Sequence, residues 1–236
     1  MVNVENQVVK NYQRILSLLA RYTHSGEQPQ LVIVTKNQSV ELISKLLSRL
    51  ERPIIGENRV QEALQKFKKC GALSADWHFI GHLQRNKVKK VIGKFSLIHS
   101  LDRFSLAKEI QKRGANENII TNCLLQIDIC QDGSKYGIHP SEEAIKDFFM
   151  KIATFSHLKI RGLMTIAPFV APEETRFYFK RMRTFFENMK NFQALPSNIE
   201  MKILSMGMSN DYIIALEEGA TMIRLGSAIF GEPTYI

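Results

Sequence analysis

The sequence has few cysteines and no long apolar segment. Its three cysteines, Cys70, Cys123 and Cys130, are odd in number and lack the spacing of a metal site, so we expect free thiols in a reducing cytoplasm. No run of eighteen apolar residues occurs, which predicts no membrane span. Residues 1–10 lack the apolar core of a signal peptide. No linker rich in proline, glycine and serine interrupts the chain, so we expect one cytoplasmic domain over residues 1–236.

Acidic residues are the minority charge, with 23 Asp and Glu against 32 Lys and Arg, a formal net charge of +9. Such an excess is typical of proteins that bind nucleic acid, acidic membrane surfaces or anionic small ligands. The densest cluster, Arg85–Lys94, fits a helix with a solvated basic face, and a face that contacts phosphate or nucleic acid is the alternative. The cluster has no interleaved aromatic residues, so we expect no nucleic-acid partner. The helix would bury Val88, Val91, Ile92 and Phe95.

Apolar runs with strand character alternate with segments of helical periodicity along the whole chain. Eight strand–helix units in about 200 residues favour a single (β/α)₈ TIM barrel, and a doubly wound open sheet is the alternative. A leading helix, with apolar residues from Val4 to Leu19, is additional to the barrel and would close its bottom or pack on its side. The predicted strands cover residues 31–36, 53–58, 77–81, 96–100, 122–129, 158–166, 201–206 and 221–225.

The first predicted strand, Leu31–Lys36, has no polar alternation, which predicts that both of its faces are covered. It ends on Lys36, at the point where a barrel strand leaves the core. If apolar walls enclose the lysine stem, the ammonium loses hydration and its pKa falls, so the neutral amine becomes available to form a Schiff base with an aldehyde. The alternative is an ordinary lysine at a strand end with its ammonium in water.

Small residues follow the last two strands, in Ser205–Ser209 and Arg224–Ala228. The carboxyl ends of barrel strands share one mouth, and the exits of strands seven and eight often form a phosphate site there. Alternatively, Gly207 and Gly226 serve only to allow tight turns. Arg224 lies inside an apolar strand and needs a partner, either a carboxylate in the barrel or an acceptor on a ligand.

A lysine able to form an imine, an anion cradle and an arginine between them describe a site for pyridoxal 5′-phosphate. With the motifs that surround them, the chain resembles the pyridoxal phosphate homeostasis protein family, which is similar to the N-terminal barrel of alanine racemase. The resemblance covers almost the whole chain. The motifs that carry it are Val34–Lys36, Gly56–Glu62, His78–Lys87, Gly162–Ile166, Ser205–Asp211 and Arg224–Gly231.

The resemblance implies a fold-type III cofactor site with a role for each matching residue. Lys36 carries pyridoxal 5′-phosphate as a Schiff base, Arg224 faces the pyridine nitrogen, and Asn58 lies beside the ring. Asn37 stands where Thr or Tyr is common in the family. The residues expected to hold the phosphate are Ser205, Ser209, Gly226 and Ser227.

The resemblance also implies a carrier of the cofactor that acts in vitamin B6 homeostasis without robust catalysis. Chemistry that draws electrons into this cofactor usually relies on an acidic partner that keeps the ring nitrogen protonated, and an arginine cannot accept that proton. Alanine racemase also takes a second acid/base, a tyrosine, from a C-terminal domain, which we expect this chain to lack; Tyr136 and His82 are the candidate substitutes. We expect a monomer that supplies PLP-dependent apo-enzymes, and a weakly active racemase-like enzyme is the alternative.

Overall fold

Eight parallel strands pair in chain order, and the first pairs with the last, so the described residues close into a barrel. The computed structural model describes residues 4–23, 26–70, 75–131, 136–193 and 195–231. The polar residues 131–137 follow the fifth predicted strand and are expected to form its exit loop; most of them lie outside the described residues. This arrangement confirms the predicted barrel and excludes the open sheet. The strands are β1 (Gln30–Val34), β2 (Ile54–Glu57), β3 (Asp76–Phe79), β4 (Leu97–Leu101), β5 (Thr121–Ile127), β6 (Leu158–Thr165), β7 (Ile199–Ser205) and β8 (Met222–Leu225).

The helices cover the outside of the barrel, and two of them begin at serine caps, Ser39 and Ser141. Serine is a residue type favoured at a helix start, and the hydroxyl of Ser141 accepts a hydrogen bond from Ala144 N at 3.1 Å. A four-residue helix follows β8. The helices are α1 (Val4–Leu19), α2 (Val40–Leu47), α3 (Val60–Cys70), α4 (Val88–Val91), α5 (Phe104–Glu117), α6 (Glu142–Ile152), α7 (Thr175–Lys190), α8 (Tyr212–Glu217) and α9 (Ser227–Phe230).

The leading helix α1 packs on the side of the barrel, not on its bottom. Asn11 Nδ2 donates to Ile229 O of α9 at 2.9 Å. On its other side, Lys45 of α2 forms an ion pair with Glu5 at 2.6 Å. The helix therefore covers the region where β8 meets β1.

The basic segment after β3 forms one 3-10 turn, Arg85–Lys87, followed by α4. Its four predicted apolar residues, Val88, Val91, Ile92 and Phe95, are all buried, which confirms the inward face. Its cations lie mainly on the exposed side, as the solvated-face interpretation predicted. Within the described part of the chain, no helix has the length and apolar character needed to cross a membrane.

Alternation along the strands separates the barrel interior from its outer wall. A small apolar cluster fills the interior, and a larger one lies between the strands and the helices. Val32 belongs to the interior cluster and pairs with Arg224, so Arg224 shares the inward face. Side chains alternate between the two faces of a strand, so every second residue after Val32 and after its partner Ile54 points inward. If this alternation continues past the strand ends, Lys36 and Asn58 lie on the inward face. Five buried residues form the interior cluster: Val32, Leu97, Leu124, Met164 and Met222.

Candidate functional site at the barrel mouth

The predicted site residues come from four consecutive strands of the closed barrel, in the order β7, β8, β1 and β2. Because all strands are parallel, their carboxyl ends open on one mouth. The structure thus brings the predicted lysine, the small-residue loops and the predicted ring neighbour to one side of that mouth. The residues concerned are Lys36, Asn58, Ser205, Ser209, Arg224, Gly226 and Ser227.

Lys36 lies two residues beyond the end of β1 and is exposed at the mouth. The expectation that apolar walls enclose its stem is therefore wrong for the free protein, because β1 ends earlier than its apolar run suggested. The exit of β1 lies against the exit of β8, since a methyl group added at Gly226 would sit 3.5 Å from Val34 O. Residue 36, two positions beyond Val34, and the Gly226 loop therefore belong to the same part of the mouth.

The loops after β7 and β8 are tied together by one hydroxyl. Ser209 Oγ accepts hydrogen bonds from Gly226 N at 3.2 Å and from Ala228 N at 3.1 Å. Two backbone N–H groups thus converge on a single oxygen, which is the arrangement that a phosphate oxygen uses at a loop. Gly207 has φ +93°, and an added Cβ would lie 2.5 Å from that of Ala215, so this turn requires glycine.

Arg224 is 4% exposed and extends into the barrel interior. Its Nη1 donates to Ser205 Oγ at 2.7 Å, and its Nη2 donates to Thr165 O at 2.9 Å. These partners are a hydroxyl and a carbonyl, so the carboxylate partner considered from the sequence is not the one found. Burial lowers the pKa of Arg224 to about 10, and the charge of Asp211 opposes that shift. The guanidinium therefore stays charged at neutral pH.

Behind Arg224, a line of polar side chains crosses the barrel interior. Ser205 Oγ lies 3.2 Å from His99 Nδ1, and His99 Nε2 lies 3.0 Å from His78 Nδ1. His78 Nε2 faces Asp76 Oδ2 at 3.7 Å. Ser205, expected in the phosphate cradle, is fully buried and its hydroxyl contacts Arg224 and His99. The two histidines were missed from the sequence, although their inward parity in β3 and β4 was a usable signal.

One set of proton positions satisfies this line when both imidazoles are neutral. The nearby carboxylate of Asp76, 3.7 Å away, favours a proton on His78 Nε2, which leaves His78 Nδ1 as an acceptor. His99 must then donate from Nε2 and accept at Nδ1 from the Ser205 hydroxyl, which itself accepts from Arg224. Burial, together with the positive charge of Arg224, holds the pKa of His99 well below its ordinary value, in agreement with a neutral ring.

A second polar group lies outside the barrel wall, directly behind Lys36. Lys66 of α3 is 1% exposed, and its Nζ donates to Thr35 O at 2.6 Å, Glu57 Oε1 at 2.7 Å and Glu62 Oε1 at 2.7 Å. Burial raises the pKa of Glu57, against the lowering effect of Lys66 and Thr35. We call Lys66, Glu57, Glu62 and Thr35 the Lys66 cluster. The sequence signal for it was a lysine three residues after Ala63 on the buried face of a helix.

Asn58 borders a cavity of about 200 Å³ between the exits of β2 and β3. Its Oδ1 is buried and has no hydrogen-bond partner among the described residues. Across the cavity, His82 stacks on Tyr136 with ring centroids 3.8 Å apart, and its Nδ1 lies 3.2 Å from Asp102 Oδ2. The two candidate acid/base substitutes therefore contact each other at the mouth.

The chemistry of these residues fits pyridoxal 5′-phosphate. An amine, a guanidinium, hydroxyls and backbone N–H groups are donors suited to a phosphate, an aldehyde and a ring nitrogen, and none of the seven predicted residues is acidic. The unpartnered Oδ1 of Asn58 adds one acceptor at the same mouth. Within the described ranges, no cluster of His, Cys, Asp and Glu is arranged to hold a metal ion.

Comparison with known proteins places the barrel in a defined class. The family model described as alanine racemase, N-terminal domain, matches residues 7–233. The fold is also found in an alanine racemase of Clostridium difficile, with a TM-score of 0.73, 14% identity, and coverage of 98% of this chain and 57% of that one.

Relatives of higher sequence identity show the family to which the chain belongs. A pyridoxal phosphate homeostasis protein of Aquifex aeolicus is 43% identical over 183 residues, which cover 77% of this chain and 78% of the relative. The Escherichia coli protein of that name is 31% identical over 239 residues, covering 100% of this chain and 99% of the relative. PipY of Synechococcus elongatus, solved with PLP bound, has a TM-score of 0.81 and 30% identity, and covers 95% of this chain and 100% of its own. The chain belongs to the pyridoxal phosphate homeostasis protein family.

Proposed function

We propose that this chain binds pyridoxal 5′-phosphate at the barrel mouth and acts in the homeostasis of that cofactor. The observation that carries the proposal is the adjacency of three exits: Lys36 after β1, Arg224 and Gly226 in and after β8, and Ser209 after β7. PipY, a relative of similar structure, was solved with PLP bound. Relatives across the full chain length carry the homeostasis name.

Each residue has a defined part in the proposed site. When bound, the cofactor supplies an aldehyde that condenses with an amine and releases water. Lys36 supplies that amine, from an exposed position at the mouth. Ser209, Gly226 and Ser227 bind the phosphate with hydroxyl and backbone N–H groups.

The remaining residues orient the ring. Arg224 donates toward the ring nitrogen, and Asn58 lies beside the ring. Ser205, expected at the phosphate, contributes through Arg224, because its hydroxyl already accepts a hydrogen bond from Nη1.

The same residues favour a carrier over a catalyst. Arg224 brings only donors to the ring nitrogen and keeps its charge at neutral pH, so it does not maintain a protonated ring. His82 and Tyr136 stack on each other, and His82 also contacts Asp102, which leaves neither arranged as a dedicated second acid/base. We propose a cytoplasmic monomer that holds the cofactor and passes it to PLP-dependent apo-enzymes without robust turnover.

An absorbance titration with pyridoxal 5′-phosphate tests the binding proposal. Wild type should develop an imine band that Lys36→Ala abolishes. Lys89→Ala is the matched control, because Lys89 is an exposed lysine on α4, and it should retain the band. Borohydride reduction followed by peptide mapping should place the added mass on Lys36. A wild-type protein without the band at saturating cofactor would refute the proposal.

A second experiment separates a carrier from a racemase-like enzyme. The loaded protein is incubated with L-alanine in deuterated water, and deuterium at Cα is followed by NMR. The carrier proposal predicts no incorporation above the rate of free cofactor. Incorporation that Lys36→Ala removes would support the racemase-like alternative. Transfer to an apo-enzyme is then followed as recovered activity of that enzyme.

A further inference from the structure

We propose that Lys66, Glu57 and Glu62 are positioning residues for Lys36: the Lys66 cluster fixes the backbone on both sides of the reactive lysine. This inference rests on the proposed role of Lys36 as the cofactor-binding amine. It adds a set of largely buried charges that act on Lys36 through the peptide groups of residues 35 and 37.

The contacts on the two sides of Lys36 converge on one ammonium. Before the lysine, Thr35 O accepts from Lys66 Nζ at 2.6 Å. After it, Asn37 N donates to Glu62 Oε1 at 2.8 Å, and the same oxygen accepts from Lys66 Nζ at 2.7 Å. The two peptide groups that flank Lys36 are therefore linked through Lys66.

The side chain of Thr35 adds a third link. Its Oγ1 donates to Glu57 Oε1, the carboxylate oxygen that also accepts from Lys66 Nζ at 2.7 Å. Glu57 ends β2, so the turn after β1 is held to the neighbouring strand as well as to α3. Charge-assisted hydrogen bonds of this kind are stronger than neutral ones, and burial limits their screening by salt.

The turn itself needs such support. Asn37 has φ +63°, in the left-handed region that non-glycine residues rarely adopt. Its N–H is the group that Glu62 holds. Lys36 thus leaves the barrel between a strand end and a left-handed residue, and both are bound to the same buried ion group.

The burial of each member of the Lys66 cluster decides which substitutions should still allow the protein to fold. Lys66 and Glu57 have side chains 1% and 0% exposed, whereas Glu62 is 21% exposed. Removing Lys66 alone leaves Glu57 buried without its cation, which threatens folding as well as positioning. Removing Glu62 breaks the contact to Asn37 at a partly hydrated position, so Glu62→Ala should fold. The double variant Glu57→Gln/Lys66→Met removes both buried charges together.

Two measurements test the positioning role. The first is hydrogen exchange at the Asn37 amide in cofactor-free protein, followed by NMR. The second is the dissociation constant for pyridoxal 5′-phosphate from the imine band. In Glu62→Ala and in the double variant, we expect at least tenfold faster exchange at Asn37 and at least tenfold weaker binding. Glu62→Gln should recover part of both, because its side-chain carbonyl can still accept from Asn37 N.

Lys45→Met is the matched control, since Lys45 is an exposed lysine that pairs with Glu5 away from the turn. It should match wild type in both measurements. The inference is overturned if Glu62→Ala and the double variant keep wild-type Asn37 exchange rates and affinities, whatever their melting temperatures. If wild type shows no imine band, the proposed function fails, whereas the exchange measurement still decides whether the cluster holds the turn.

Discussion

His99 Nε2 lies 3.0 Å from His78 Nδ1 inside the barrel, and the other ring nitrogen of His99 lies 3.2 Å from the Ser205 hydroxyl that Arg224 contacts. A fully buried imidazole with both nitrogens engaged in this way is held neutral. His99 therefore adds no positive charge beside the buried guanidinium of Arg224. That relationship has a consequence for stability as a function of pH.

Stability should fall as the pH is lowered through the range below about 6.5, the ordinary histidine value. The folded-state pKa of His99 is depressed well below that value, so the unfolded chain binds a proton that the folded chain does not. Its contribution is present above the unfolded pKa and is lost as the pH falls toward the folded pKa, at up to about 1.4 kcal/mol per pH unit. Urea unfolding at pH 7, 6 and 5 measures this slope.

The contribution of His99 is isolated with a glutamine variant. His99→Gln should have lower stability at pH 7 and a shallower decline between pH 7 and pH 5. His139→Gln changes an exposed histidine and should keep the wild-type slope. Equal slopes in His99→Gln and wild type would show that His99 takes up a proton in the folded protein.

Gly81 allows the backbone of Asn58 to approach β3. A Cβ added at Gly81 would lie 2.1 Å from Asn58 O and 2.7 Å from Asn58 C, so backbone must move. We expect Gly81→Ala to lose at least about 2 kcal/mol of unfolding free energy. At Gly226, an added Cβ would meet Val34 O at an ordinary 3.5 Å, and Gly226→Ala should cost less than about 1 kcal/mol. Chemical denaturation measures both losses of unfolding free energy. Similar losses in the two variants would contradict the prediction that only the Gly81 position lacks space for a Cβ.

Asn37 should tolerate glycine and resist β-branched residues, because its φ is +63°. Asn37→Gly relieves the backbone strain, and we expect a change within about 1 kcal/mol. Asn37→Val places a β-branched side chain in the left-handed region, where we expect a loss of about 1–3 kcal/mol. Thermal unfolding with calorimetry compares the pair. A valine variant as stable as the glycine variant would mean that the turn relaxes to another conformation.

The basic surface of α4 should be separable from the cofactor site. Lys89 and Lys90 are exposed, so Lys89→Glu/Lys90→Glu should change stability by no more than about 1 kcal/mol and leave cofactor affinity unchanged. Ile92, 2% exposed on the inward side, provides the contrast, and Ile92→Ala should lose about 2–5 kcal/mol. A weakened imine band in the charge-reversed protein would instead connect this surface to the site.

The sequence was sufficient for the barrel, because short strand-like segments alternate along the chain with segments of helical periodicity. Predicted helix ends were less accurate where a residue type that often ends helices is present for a different reason, such as close packing. Glycine is common where helices end, so Gly114 favours an end of α5 at that point, yet the helix continues to Glu117. An added Cβ at Gly114 would lie 2.6 Å from Ile119 O and 2.8 Å from His157 Cβ, so this glycine serves packing.

The residues at the mouth were predicted from the strand exits and from the sequence motifs. The side chains that contact them were not predicted. Lys66 and Glu57 are far more buried than charged residues usually are, and periodicity alone does not reveal which distant carbonyl or carboxylate offsets that burial. Arg224 was expected to need a partner, but the choice of Ser205 and Thr165 depends on the register between three strands. Such side-chain partners can be identified only once the register of the paired strands in the barrel is known.

The pairing of β1 with β8 has a consequence for the order of events during synthesis. Residues of β1 leave the ribosome well before those of β8, because most of the barrel sequence lies between the two strands. A nascent chain therefore keeps one edge of β1 without its native partner strand until β8 has been made. Until then Lys36 also lacks the neighbouring Gly226 loop, so this side of the mouth is among the last parts of the barrel to assemble.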